Sequence, residues 1–223
     1  MTIVTSLRMP SRAAAIASAV LFAGALSAMP APIAAAEPCP DVQVVFARGT
    51  SEGPGVGRVG QALADALQAQ LGGRTVGTYG VNYPATYDFL TAADGANDAT
   101  AHISSMAQQC PSTRIVLGGY SQGAAVVDML LGIPPLGNKV GSVGSAPPLP
   151  GSLANNVAAV AVFGNPSTKF GIPVTSSQFG GRAIDLCSDG DPICSGGRNP
   201  FAHTSYETSP YLAQAAGFVA SLV

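Results

Sequence analysis

Ile115-Val116-Leu117-Gly118-Gly119-Tyr120-Ser121-Gln122-Gly123-Ala124-Ala125-Val126-Val127-Asp128-Met129-Leu130-Leu131 is the stretch that decides the fold. Its first residues form an apolar, β-branched run, which reads as a strand. Ala124 to Leu131 reads as a buried helix. Between them, Gly119-Tyr120-Ser121-Gln122-Gly123 must turn the chain sharply. A serine in G-x-S-x-G at such a junction sits at the tip of a strained turn, with its hydroxyl exposed. The glycines have a steric task there. Strand and helix crowd so closely that side chains at the two flanking positions would clash. The pentapeptide says little by itself: in a chain with 27 Gly, chance supplies roughly 0.3 such sequences. Its meaning depends on its surroundings.

Outward from this junction, strands and helices alternate. Val42 to Ala47, Thr75 to Val81, Arg114 to Gly118, Val157 to Phe163 and Arg182 to Leu186 read as strands. Arg58 to Leu71 carries Val59, Leu63, Leu67 and Leu71 at helical spacing, and Gly72-Gly73 ends it. Asn97 to Gln109 reads as a second helix. Ser209 is placed to cap a final one, with Pro210 at its first position. Asn82 to Gly95 and the Pro- and Gly-rich segment Gly132 to Asn155 read as surface loops, the latter a possible cover for the site. This alternation predicts a three-layer α/β domain: a central, mostly parallel five-stranded sheet with helices on both faces.

The first residues bound where the protein works. Arg8 and Arg12 precede the uncharged apolar run Ala13 to Ala28, and Ala34-Ala35-Ala36 is a small-x-small cleavage pattern. Residues 1–36 therefore read as a secretory signal peptide, leaving 37–223 as a single extracellular domain, free or at the cell wall. Pro30 and Pro32 argue against an uncleaved anchor. Removing two Arg from a chain of net charge −2 gives −4, with no basic footprint for a nucleic acid. A monomer is expected.

Cys39, Cys110, Cys187 and Cys194 are the four cysteines. An even number in an exported chain implies two disulfides, with three possible connectivities. Spacing favours Cys187–Cys194 as a local clip and Cys39–Cys110 as a long tie. Loop entropy gives roughly 2.5 and about 4.4 kcal/mol for them. No pair has the spacing of a zinc knuckle, so no metal is expected.

A serine nucleophile needs a base, and the base needs an orienting acid. His102 and His203 are the two histidines. In α/β-hydrolases the chain order is serine, acid, histidine. His203 fits that order; His102 precedes Ser121, lies in a predicted helix and reads as a solvated surface residue. For the acid, Asp128 lies in the helix after the turn and Asp185 in a strand. Asp189 and Asp191 share the loop Cys187-Ser188-Asp189-Gly190-Asp191-Pro192-Ile193-Cys194 and are nearly tied. Pro192, which stiffens the backbone beside it, tips the choice slightly to Asp191.

Taken together, Gly-Tyr-Ser-Gln-Gly, the Cys-x₃-Asp-x₂-Cys loop, the histidine after it, and Phe46-Ala47-Arg48-Gly49-Thr50 resemble the cutinase family, especially its bacterial branch. The resemblance spans essentially the whole exported part. It implies Ser121 as nucleophile, Asp191 as acid and His203 as base. It implies an oxyanion hole from the backbone N–H of Gln122 and from Thr50, where fungal members carry Ser. On the same reading the Gln122 side chain matters less. No cofactor is implied. Tyr83, Pro84, Tyr87, Phe89, Leu90 and Phe201 are expected to form an apolar rim suited to acyl chains, lipid or polymer surfaces. The implied activity is hydrolysis of short- to medium-chain esters, lipids or polyesters through an acyl-enzyme. Acetylated xylan is the alternative substrate, and a non-catalytic binding protein on the same fold the alternative role. A competing motif, Gly55-x-Gly57-x-x-Gly60, has the spacing of a dinucleotide loop, but the next strand ends without the acidic residue that would hold a ribose.

Overall fold

Five short apolar runs line up side by side because each has backbone groups to pair and two faces to bury. In the computed structural model, which describes residues 38–137 and 143–223, they form one parallel sheet. In chain order the main elements are β1 (Val42–Ala47), α1 (Gly57–Gln70), β2 (Val76–Gly80), α2 (Ala92–Gln109), β3 (Arg114–Tyr120), α3 (Gln122–Leu130), α4 (Gly151–Ala154), β4 (Val157–Phe163), β5 (Ala183–Leu186), α5 (Pro200–His203) and α6 (Pro210–Ala220). The sheet order is β2-β1-β3-β4-β5, and every neighbouring pair is parallel. The expected signal peptide and residues 138–142 of the Pro- and Gly-rich loop, Val140 among them, lie outside the described residues. Pro38–Val223 is one compact unit. No helix among the described residues is long and apolar enough to cross a membrane.

The two-residue period of the strands divides the core. Val42, Val44 and Phe46 of β1 face α1 and α6, meeting Leu63, Leu67, Ala216 and Val219. Val45 and Ala47 face the other way, toward Ala96, Ala99 and Ile103 of α2 and Val126 and Val127 of α3. Leu63 and Leu67 are both fully buried, each worth about 1.5–3 kcal/mol of transfer free energy. Cys39–Cys110 ties the chain ahead of β1 to the end of α2, and Cys187–Cys194 closes a seven-residue separation after β5.

Some boundaries differ from those expected, each for a packing reason. α2 begins at Ala92 rather than Asn97, running through Asp94-Gly95. Gly95 is accommodated because a Cβ there would press on Tyr83 and Val126; close approach of α2 to α3 outweighs its poor helix propensity. The segment 132–155 is not simply a surface loop: Ile133, Val143 and Leu149 are buried in the core, and α4 lies within it. Ser209 precedes α6 as expected, but its hydroxyl donates to Tyr206 O at 2.9 Å instead of capping a helix N–H.

The order in which strands are added to the sheet reverses at β1. The chain leaves β1 toward β2 on one side and then takes β3 on the other. Loops leaving the carboxyl ends of β1 and β3 therefore diverge and open a crevice, the usual ligand position in such sheets. Thr50 follows β1 and Ser121 follows β3.

The crowding predicted for the turn is severe. A Cβ on Gly119 would lie 2.3 Å from Gly123 O, and one on Gly123 only 1.9 Å from Ala47 O of β1. Gly123→Ala should destabilise the fold by about 3 kcal/mol or more, beyond ordinary overpacking, because the clash is with backbone. Thermal unfolding checks this; an unchanged midpoint would contradict the account.

Candidate active site

Ser121 has φ 56° and ψ −115°, a conformation a non-glycine residue rarely adopts. Strain of this kind costs roughly 1–3 kcal/mol and persists only when neighbours fix it. Here its N–H donates to Phe163 O of β4 at 2.9 Å, while its own carbonyl accepts the N–H groups of Ala124 and Ala125. The side chain is thereby held out over the carboxyl end of the sheet.

His203 arrives from α5, the single turn Pro200–His203, begun by Asn199, whose side chain accepts the Phe201 N–H at 3.1 Å. Its Nε2 lies 2.8 Å from Ser121 Oγ and its Nδ1 2.7 Å from Asp191 Oδ2. The ring fits against Gly164 just past β4: a Cβ there would sit 2.8 Å from the imidazole. Tyr120, next to Ser121, donates its hydroxyl to His203 O at 2.6 Å. Asp191 is fully buried, whereas Asp189 is exposed. Asp191 Oδ1 accepts the Ile193 N–H at 2.7 Å, and Oδ2 also accepts the Tyr206 hydroxyl at 2.7 Å. Burial pushes this carboxyl upward, but the bonds from His203, Ile193 and Tyr206 together outweigh it and hold it below its ordinary value. It is an anion at neutral pH, aligned on the imidazole.

Thr50 stands across the crevice. Its loop is pinned by Arg48, a buried guanidinium that donates to Glu52 O at 2.9 Å, Val81 O at 3.2 Å and Tyr83 O at 2.6 Å. Gln122 opens α3, so its N–H belongs to a helix N-terminus with no intrahelical acceptor. The Gln122 side chain, expected to matter less, is buried and accepts the Thr50 hydroxyl at 3.2 Å. It links the two residues expected to bind the oxyanion, a link the sequence does not signal.

A cavity of about 520 Å³ adjoins Ser121 and His203. Of the expected rim, Tyr87 and Phe89 line it. Leu90 and Phe201 are exposed nearby but do not line it. Two expected rim residues belong elsewhere. Tyr83 is buried, its hydroxyl bonded to Arg48 O, because the β2 loop folds back over that arginine. Pro84 lines a separate recess with Arg48 and Asn82. Ala125, Leu136, Val143, Pro166 and Ile193, none of them expected from the sequence, complete the apolar wall. Ile193, an isolated apolar residue in a polar disulfide loop, was the readable signal among them.

The other acids are engaged in the core. Asn165 Nδ2 donates to Asp128 Oδ1 and Asp185 Oδ2, both at 3.0 Å. Burial raises both carboxyls, Asp128 well above the ordinary range. His102 is not a solvated surface residue: it is half-buried, stacks on Tyr79 with ring centroids 3.4 Å apart, and bonds Gln43 Oε1 at 2.8 Å. Among the described residues no group of three or more His, Cys, Asp or Glu side chains could hold a metal ion.

Comparison with known proteins agrees with this architecture. The family model described as Cutinase matches residues 38–223. "Phospholipase Culp4" of Mycobacterium tuberculosis is 51% identical, over 95% of this chain and 89% of its own. "Probable carboxylesterase Culp3" of the same organism is 50% identical, over 97% of this chain and 82% of its own. Among solved structures, Trichoderma reesei cutinase in complex with a phosphonate inhibitor is 36% identical, with a TM-score of 0.64 over 83% of this chain and 77% of its own. With matches of this extent and identity, the chain belongs to the cutinase family.

Proposed function

We propose that this chain is an exported serine esterase that works through an acyl-enzyme on Ser121. The observation that carries this reading is the unbroken contact series Ser121 Oγ–His203 Nε2–Asp191 Oδ2, at 2.8 and 2.7 Å, beside an apolar cavity. His203 Nε2 takes the Ser121 proton as Oγ bonds to the ester carbonyl carbon, and the carbonyl pair becomes an oxyanion. Asp191 keeps the remaining imidazole proton on Nδ1 and stabilises the imidazolium. The Gln122 N–H and Thr50 bind the oxyanion, where donors fixed in advance are worth most. As the intermediate collapses, the C–O bond to the alcohol breaks and His203 returns its proton to that oxygen. Water then repeats the sequence in reverse, releasing the acid and regenerating Ser121.

The substrate side follows from the cavity. Ala125, Leu136, Val143, Phe89 and Ile193 suit an acyl chain of short to medium length. Exposed Tyr87, Leu90 and Phe201 suit transient contact with a lipid or polymer surface. The phospholipase and carboxylesterase names of the relatives favour lipids and simple esters. Export is supported by the basic-apolar leader 1–36 and by two disulfides, which persist in oxidising surroundings. The chain acts as a monomer, without nucleic acid or cofactor.

Three experiments test this reading. Ser121→Ala should lose hydrolysis of p-nitrophenyl butyrate by roughly 10³-fold or more and lose labelling by a fluorophosphonate. Undiminished labelling of that variant would sink the assignment. A chain-length series of p-nitrophenyl esters, run beside acetylated xylan and a phospholipid, then defines the ester. Gly164→Ala places a methyl against the imidazole. It should lower kcat by about 10²-fold, the cost of an ångström-scale misplacement. An unchanged kcat would show that the His203 position is not set there.

A further inference from the structure

Tyr206 is among the largest fully buried side chains in the molecule, at 1% exposure. Its ring packs edge-on against Phe163 and tilted against Tyr120, with centroids 5.8 Å away in both cases. A phenylalanine would fill that space equally well. The hydroxyl therefore needs a separate reason, because burying one costs free energy unless it is bonded. Its bonds provide the reason. The oxygen accepts the Ser188 N–H at 2.8 Å, and the proton goes to Asp191 Oδ2 at 2.7 Å. That is the same carboxylate oxygen that holds His203 Nδ1.

We propose that Tyr206 is a positioning residue for the ester-hydrolysing site, its hydroxyl sharing Asp191 Oδ2 with the imidazole and so fixing both where the acid points and how strongly it holds His203. This rests on the reading of Asp191 and His203 given above. Two features of the geometry carry it. First, Tyr206 is three residues from His203, so one short segment delivers the base and grips the acid. The disulfide loop is held from inside by one hydroxyl bonded to both Ser188 and Asp191. Second, Asp191 has three donors: Ile193 N–H on Oδ1, and His203 and Tyr206 on Oδ2. A donor on Oδ2 draws off charge that would otherwise stabilise the imidazolium. Burial pushes the phenol well above its ordinary range, so it remains a donor at working pH.

Other charged or titratable groups face His203 or lie near it. Tyr120 of β3 holds His203 O. Arg58 of α1 reaches the neighbouring Thr204 O, with Glu52 and Glu207 as its own partners. Substituting Tyr206 removes none of them. Nor does Tyr206 line the cavity, so its loss leaves substrate contacts in place.

The test is Tyr206→Phe in the exported chain, assayed on p-nitrophenyl butyrate across pH. The expected result is a fall in kcat of about tenfold, equivalent to one charge-assisted hydrogen bond, with KM unchanged. The acid limb of the rate profile should move to higher pH, because an acid with one donor fewer stabilises the imidazolium more. A purely structural role would lower the unfolding midpoint and leave that limb in place; this result overturns the proposal. Should the variant not fold, 3-fluorotyrosine at position 206 keeps the shape and makes a stronger donor. It should move the limb to lower pH, and an unmoved limb again overturns the proposal. His203→Ala and Asp191→Ala separate the two levels. If both are inactive while Tyr206→Phe matches the wild type, only the Tyr206 inference fails. If either retains full activity, the esterase reading fails with it.

Discussion

A single close approach governs the architecture: β1, β3 and α3 meet with no room for a side chain. Gly123 lies against the Ala47 carbonyl, and Gly119 against the Gly123 carbonyl. This crowding forces the backbone between them through a positive φ at Ser121. The strain is sustained by the sheet, chiefly through the Ser121 N–H bond to Phe163 O. The same approach brings the first N–H of α3 and the Thr50 loop to one crevice. The expected oxyanion site is therefore a consequence of helix–sheet packing, not a separate construction.

The other two members of the constellation depend on local closures. Asp191 is buried in a loop closed by Cys187–Cys194, where a carboxylate can remain charged because His203, Ile193 and Tyr206 all donate to it. His203 sits on a single helical turn that would be unstable alone. Tyr120 below its backbone and Gly164 beside its ring hold it in place. An imidazole on a short, supported turn can keep one orientation without belonging to a long element.

How legible this was in the sequence depended on whether a constraint was local. Ser121 could be read because its glycines report a steric demand within five residues. The five strands could be read because burial on both faces leaves continuous apolar runs, and β1 and β4 coincide with their expected bounds. Asp191 is separated from Asp189 only slightly by Pro192 and decisively by family resemblance, since which of two neighbouring carboxylates turns inward depends on a partner twelve residues away. Tyr83 reads as a rim residue because an aromatic in a loop resembles a binding residue. Its burial depends on Arg48, thirty-five residues earlier. The side-chain contact of Gln122 with Thr50, and the apolar wall from Leu136 and Val143, arise from tertiary contacts without a local signature. The burial of His102 has no local signature for the same reason: its partners Gln43 and Tyr79 lie on different strands.

The central claim is that chemistry passes through Ser121 covalently. Rapid acid quenching during turnover of p-nitrophenyl butyrate, followed by peptide mapping by mass spectrometry, tests it most directly. The account predicts one butyryl group per chain, carried on the peptide containing Gly119-Tyr120-Ser121-Gln122-Gly123 and located at the Ser121 hydroxyl. A butyryl group on any other residue, or steady turnover with no acylated peptide in the pre-steady-state burst, would contradict it.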